Sequence, residues 1–230
     1  MRRLLHQPLD PKCRKIRLVL AEKKLAFELE TEKPWERRED LLALNPAGTL
    51  PVLIEPDGTV VSGDRVIPDY LDEIYRDPDG GLVLFPGGPV QRAEARRISE
   101  WFDEKFADEV TRNLVEEKIT RRFLPRDLGG GPPDTETVRV GMHNVSYHLD
   151  YISFLVERRN WLAGDELTIA DLAAAAHLSA VDYLGNVPWA DFPEAKEWYA
   201  RIKSRPSFRA LLADHVPGMP AARHYANLDF

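Results

Sequence analysis

The spacing of apolar residues changes several times along the chain. Arg2–His6 is short and apolar at its centre, which predicts a strand. From Cys13 the period lengthens. Cys13, Ile16 and Leu20 fall at i, i+3 and i+7, the signature of an amphipathic helix with Arg14, Arg17 and Lys24 on its solvated side. Residues 26–31 alternate, with Phe27 and Leu29 on one side and acids between them, which predicts a second strand. Residues 33–40 are polar except for Trp35 and suit a loop or short helix, and the Asn-Pro-Ala-Gly run at 45–48 is turn chemistry. Residues 50–55 read as a strand with Pro51 at its start, where proline is tolerated. A Pro-Asp-Gly turn follows at 56–58, and 59–61 return as a hairpin strand. Ser62 or Asp64 can cap a helix over 65–75, with Pro68 near its first turn. The order is β-α-β, then β-β-α.

Residues 76–90 are rich in Pro, Gly and Asp and read as a linker. Beyond it the strand patterns vanish. Long helical patterns cover 90–122, 135–158 and 168–184, and shorter ones 193–204 and 207–213. The third is apolar nearly all round, which marks a buried central helix. The expected organisation is an α/β unit at 1–77, a linker at 78–90, an all-helical unit at 91–214 and an irregular tail at 215–230.

Composition narrows the function. The 230 residues are 43 % hydrophobic and 30 % charged, which suits a folded soluble chain. The single cysteine, Cys13, excludes an intramolecular disulfide framework, a CxxC redox pair and a cysteine-based zinc knuckle. Asp+Glu 38 against Lys+Arg 31 gives a net charge of -7, which argues against nucleic acid as a ligand. No apolar run approaches the roughly 20 residues that cross a bilayer. The opening residues lack the apolar core of a signal peptide. A cytoplasmic location without membrane insertion is expected.

Few residues offer chemistry. The histidines have no metal-ligand spacing, and no phosphate loop or nucleophile elbow is present, so no metal or cofactor is expected. The Leu50-Pro51 bond is a candidate cis peptide that would turn the backbone of Leu50 toward a ligand. Thr168 and Asp171 form a capping-box pattern with a structural role. Cys13 reads as part of the core stripe with Ile16 and Leu20. It is also the one candidate catalytic nucleophile, because a helix N-terminus and neighbouring cations lower a thiol pKa. Trp35 either tucks back onto its domain or is an exposed aromatic anchor rimmed by charge. The tail, with Tyr225, Leu228, Asp229 and Phe230, carries aromatics and acids at a free end. It frays, or it docks on its own domain or on a partner.

The run at 44–53 (LNPAGTLPVL) and the run at 162–174 (LAGDELTIADLAA), with the linker between them, resemble the glutathione S-transferases over nearly the whole chain. The resemblance implies a thioredoxin-like α/β domain followed by an all-α domain, with Pro51 as the family's cis-proline. It also implies a glutathione site at Asp10, Leu50, Pro51 and Asp64. Asp10 stands where many members carry Ser or Cys, and a carboxylate there would repel a thiolate. Gly63-Asp64 replaces the Glu-Ser pair that holds the γ-glutamyl end. The site therefore reads as vestigial. The runs at 33–40, 161–189, 199–212 and 224–230 are further similar to bacterial members of the superfamily that act in cell division by binding the tubulin homologue FtsZ. That similarity implies a homodimeric, non-catalytic adaptor at the division site, coupling FtsZ filaments to septal wall synthesis. The expected partner contacts are Trp35, Tyr225, Leu228, Asp229 and Phe230. The alternatives are a glutathione-using enzyme working through Cys13 and a transcription adaptor on RNA polymerase.

Overall fold

In the computed structural model, which describes residues 1–76, 81–228 and 230, a four-stranded sheet forms in the order β2-β1-β3-β4. Its strands are β1 (Arg2–His6), β2 (Phe27–Thr31), β3 (Val52–Ile54) and β4 (Val60–Ser62). β1 runs parallel to β2, with Leu4 opposite Leu29, and antiparallel to β3, with Leu4 opposite Leu53. β3 and β4 form the hairpin expected around the Pro-Asp-Gly turn. The alternation in β2 does not produce a buried face. Phe27 is half-buried and Leu29 is 44 % exposed, because β2 is an edge strand with a neighbour on one side only.

Helix α1 (Pro11–Glu22) corrects the sequence reading most strongly. Arg14 and Arg17 were expected in solvent, yet both are buried, as are Lys15 and Lys23. The helix lies between the sheet and the helical half, so its polar side faces protein. Arg17 makes a bidentate pair with Asp214 at 2.7 and 2.9 Å. Lys23 binds Asp72 at 3.0 Å and also reaches the carbonyls of Tyr75 and Leu82. Such pairs add little net stability against an apolar equivalent, but losing one partner strands a buried charge at a cost of about 3–5 kcal/mol. They therefore fix how the two halves dock. A short helix α2 (Glu39–Leu44) precedes β3, and α3 (Val66–Ile74) follows β4.

The helical half opens with a continuous rod. It comprises α4 (Pro89–Glu100), a segment with wider π-type hydrogen bonding (Trp101–Thr120) and a last turn, α5 (Arg121–Phe123). Helix α6 (Thr135–Val156) packs on the rod so closely at Gly141 that a Cβ there would lie 2.8 Å from Asn113 Cβ. Helix α7 (Ile169–Tyr183) is buried along all 15 residues, as its apolar circumference predicts. Thr168 Oγ1 accepts from Ala170 N at 3.2 Å, and Asp171 Oδ2 accepts from Thr168 N at 3.0 Å, which closes its cap. Asp171 Oδ1 also accepts from Leu162 N and Trp198 Nε1, so one carboxylate joins three segments. Helices α8 (Pro193–Lys203) and α9 (Arg209–Leu212) complete the half. Residues 77–80, which include the start of the expected linker, and Asp229 of the tail lie outside the described residues. Among the described residues no helix is long and apolar enough to cross a membrane.

Candidate functional site

The turn from β1 into α1 is where the fold presents its first helix N-terminus to the groove between the halves. Asp10 is the N-cap of α1, and its Oδ1 accepts from Cys13 N at 2.8 Å. The carboxylate is therefore spent on the helix, and burial raises its pKa. Cys13 lies beneath it with no exposed surface. Its Sγ faces Gln7 N at 3.4 Å. Burial, followed by the nearby Asp10 charge, pushes the thiol well above its ordinary pKa. The lowering expected at a helix N-terminus is overcome, and Cys13 sits in the core as a neutral thiol rather than at the groove as a nucleophile.

Beside Asp10 the groove is nearly closed. Gln7, Pro8, Leu9 and Asp10 face Thr111, Val115, Glu116 and Ile119 of the rod across a cavity of about 40 Å³. A few water molecules fill such a space, whereas small-molecule sites commonly run to about 300 Å³ or more. At the other end of the expected glutathione site, Leu50-Pro51 is cis and the Pro51 carbonyl is occupied by Gly63 N at 3.1 Å. Leu50 is buried. Asp64 Oδ2 accepts from the buried Lys15 Nζ at 2.9 Å instead of facing outward. Lys15 also donates to Asp103 at 2.6 Å. Burial pushes the Asp103 carboxyl up, but Lys15 and His177 outweigh it and hold the group well below the usual carboxylate range. Asp10 is thus engaged by the helix N-terminus and Asp64 by Lys15, and Asp64 and Lys15 line a cavity of about 190 Å³ with Arg65, Ser99 and Asp103. No cluster of metal-ligating side chains occurs among the described residues.

The expected partner contacts divide sharply. Trp35 sits in a single 3-10 turn (Pro34–Glu36), half-buried, with ion pairs on both sides. Lys33 meets Glu36 at 3.0 Å, and Arg38 meets Glu32 at 3.4 Å and Asp40 at 3.0 Å. Leu228 is 43 % exposed. Tyr225 is not a surface residue. It is fully buried, with its hydroxyl accepting from Arg14 Nη1 at 2.9 Å and donating to Leu211 O at 3.1 Å. Phe230 docks on its own domain. Its ring stands 5.3 Å from Trp189 and 5.8 Å from Tyr199, and the Lys203 ammonium lies 3.8 Å from its centroid. His224 Nε2 pairs with Asp182 Oδ1 at 2.8 Å and holds the same segment.

Topology places the Trp35 turn and the start of α1 at one end of the sheet. β1 and β2 are parallel, so His6 and Thr31 lie side by side where the Trp35 turn departs and α1 begins. From that end of α1, Arg14 reaches Tyr225. The sequence reading missed Arg14, Lys15 and Asp214, the residues that seat α1. Its available signal was the density of cations in 12–17, which exceeds what a helix with one solvated side needs.

A second surface lies on α6. Val140, Tyr147 and Phe154, at steps of seven, are 45, 56 and 52 % exposed. Beside them Trp101 packs on Tyr151 at 4.4 Å and on Tyr147 at 6.3 Å. The Lys105 ammonium stands 5.5 Å from the Tyr147 ring centre. This is an apolar, aromatic face that no element among the described residues covers.

Comparison with known proteins places the chain. Residues 11–74 match the glutathione S-transferase N-terminal domain, and residues 141–206 match the C-terminal domain. FtsZ-localized protein A of Caulobacter vibrioides is 44 % identical over 100 % of this chain and 98 % of its own length. A crystal structure of a glutathione S-transferase from Rhodospirillum rubrum F11 superposes with a TM-score of 0.94 at 51 % identity, covering 100 % of both chains. The structure of FzlA from C. crescentus superposes with a TM-score of 0.92 at 44 % identity, covering 100 % of this chain and 99 % of that one.

Proposed function

The chain belongs to the glutathione S-transferase family, and on that premise we propose that it is a non-catalytic adaptor that binds FtsZ filaments at the division site. One observation carries the reading. At the start of α1, where a member of this family would activate glutathione, the groove narrows to a cavity of about 40 Å³ and Asp10 is spent on capping the helix, while Asp64 is paired with Lys15 beside a separate cavity of about 190 Å³. What remains for function is surface. The full-length similarity to a protein named for its localisation with FtsZ supports FtsZ as the partner. Trp35 and Leu228 are the proposed contacts, together with Asp229 and Phe230 of the same tail. A half-exposed tryptophan rimmed by ion pairs has the anatomy of an interaction anchor.

The protein works in the cytoplasm as a homodimer built on the aromatic face of α6, neither inserting into membrane nor binding nucleic acid. Two copies of each contact then bridge neighbouring filaments by avidity and couple them to the septal wall synthesis machinery. The test is co-pelleting of the purified protein with GTP-assembled FtsZ. Binding that falls by about tenfold or more in Trp35→Ala, about 1.4 kcal/mol, supports the reading. Absence from the pellet of the parent protein overturns it.

A second reading, an active glutathione transferase, is favoured by the 51 % identity to the R. rubrum structure that bears that name. Retention on glutathione resin with turnover of an aryl halide would establish it. Neither is expected from a fully buried Cys13 and an Asp10 already engaged by its own helix.

A further inference from the structure

At the carboxyl end of the rod, Lys118, Arg122, Gly131, Pro132, Pro133 and Met219 line an open groove of about 580 Å³. Its walls are fixed. Gly131 N donates to Arg121 O at 3.0 Å, which ties the Gly-Pro-Pro loop to the helix. Tyr183 Oη donates to Met219 O at 2.7 Å, which anchors the opposite wall. Gly131, Pro132, Pro133 and Met219 make that lining apolar.

Several cations on the rod are matched to acids three or four residues away, while Arg96 reaches Asp69 and Arg92 donates to the Gly87 carbonyl. Arg97 pairs with Glu94, Lys105 with Glu109, Arg112 with Asp108, and Arg121 with Glu117. Lys118 and Arg122 stand four apart on one helix face, a spacing at which like charges repel. Neither pairs with a carboxylate among the described residues. Lys118 Nζ has a neutral partner, Asn186 Oδ1, at 2.8 Å. Burial alone lowers its pKa, with no counter-charge to offset it. Two cations without a carboxylate partner beside an apolar-lined groove offer a charge-complementary site for an anion in a chain of net charge -7.

We propose that this groove docks an extended acidic and apolar segment of a partner protein. A carboxylate of the segment bridges Lys118 and Arg122, and a neighbouring apolar side chain rests on Met219 and the Pro132-Pro133 loop. The bridging carboxylate removes the repulsion and makes charge-assisted hydrogen bonds to both heads. The size of the groove selects a peptide, since a small carboxylate would leave most of it empty. This goes beyond the FtsZ reading, because it holds whichever protein supplies the segment.

The test is fluorescence anisotropy with the intact protein and a labelled peptide alternating aspartate and leucine. A peptide alternating lysine and leucine is the control. The acidic peptide binds, the basic one does not, and affinity falls steeply with added salt. Arg122→Glu and the double variant with Lys118→Glu weaken binding by about tenfold or more. Arg122 is exposed and Lys118 has one neutral partner, so unchanged melting temperatures confirm intact folding. Equal affinity in parent and double variant, no acidic-peptide binding, or displacement of the peptide by an equal concentration of benzoate would each overturn the proposal. FtsZ co-pelleting is read separately, so failure of one reading does not imply failure of the other.

Discussion

Arg14 Nη1 donates to the Tyr225 hydroxyl at 2.9 Å and so ties the first helix to a turn 211 residues later. The same guanidinium holds Ser179 Oγ at 2.7 Å and Asp214 Oδ2 at 2.8 Å. A buried arginine with this many partners is a fixed point around which the tail folds. The aromatic end of the chain is therefore a structural strap before it is anything else.

Tyr225→Phe removes the hydroxyl and leaves the ring. The charge-assisted bond it breaks is worth about 1.5–3 kcal/mol, and Arg14 keeps its other partners. Arg14→Met leaves Asp214 paired with Arg17 only, and the loss rises to about 3–5 kcal/mol. Urea unfolding measures both. A loss for Tyr225→Phe below about 0.5 kcal/mol would show that the strap is not fastened there.

Cys13 should be inert in the folded protein. Its thiol is fully buried and burial holds its pKa well above the ordinary value. A thiol-exchange reagent at pH 7 is expected to leave it unmodified, and raising the pH to about 9, past the usual thiol pKa of about 8.5, changes the rate only as far as local opening allows. Unfolding in guanidinium should expose one reactive thiol per chain, as the composition requires. Rapid stoichiometric labelling of the native protein would contradict the burial and revive the nucleophile.

These two sites show what the sequence carried and what it did not. The order of strands and helices was legible because apolar period and turn chemistry are local signals. The capping box at Thr168 and Asp171 was legible for the same reason, since its members are three residues apart. The charged side of α1 was misread because periodicity reports that a face is polar, not whether water or protein lies against it. Asp214, Asp103 and Asp64, which make Arg14, Arg17 and Lys15 buriable, are scattered over the chain and have no local signature. Tyr225 was read as a surface contact for a related reason. A tyrosine in an irregular segment carries no pattern that reveals a buried arginine beneath it.

Acid should weaken the fold before the carboxylates titrate. His148 is fully buried and its pKa falls to about 4, mainly through burial, with Glu109 opposing. Trp101 Nε1 donates to its Nδ1 at 3.0 Å, which needs that nitrogen unprotonated. His6 is likewise lowered to about 4 by burial and by Arg17. A histidine with a folded pKa below its unfolded value binds fewer protons folded than unfolded between the two. Stability therefore falls as pH drops from about 6.5 toward about 4, by up to about 3 kcal/mol per residue. Asp10, Glu116 and Asp171, whose pKa values are raised, pull the other way. The comparison that isolates one histidine is the parent against His148→Gln. Urea midpoints at pH 7, 5.5 and 4.5 should show a shallower decline in the variant, and parallel declines would count against the assignment.

The aromatic face of α6 yields the remaining prediction. Val140, Tyr147 and Phe154 are each about half exposed and recur at steps of seven, so they form one stripe that a second copy can cover by two-fold symmetry. Light scattering on a sizing column should give twice the 26.2 kDa chain mass for the parent protein. Tyr147→Glu combined with Phe154→Glu places two carboxylates in that contact and should give the single-chain mass. Because both side chains are surface residues, melting of the monomer should change by no more than about 1 kcal/mol beyond the loss of dimerisation. The monomer keeps Trp35 and the tail, so it should still co-pellet with FtsZ filaments, more weakly, and fail to bundle them, since bridging needs two linked sites. A parent protein that runs as a monomer, or a monomeric variant that bundles filaments as well as the parent, would remove the dimer from the mechanism.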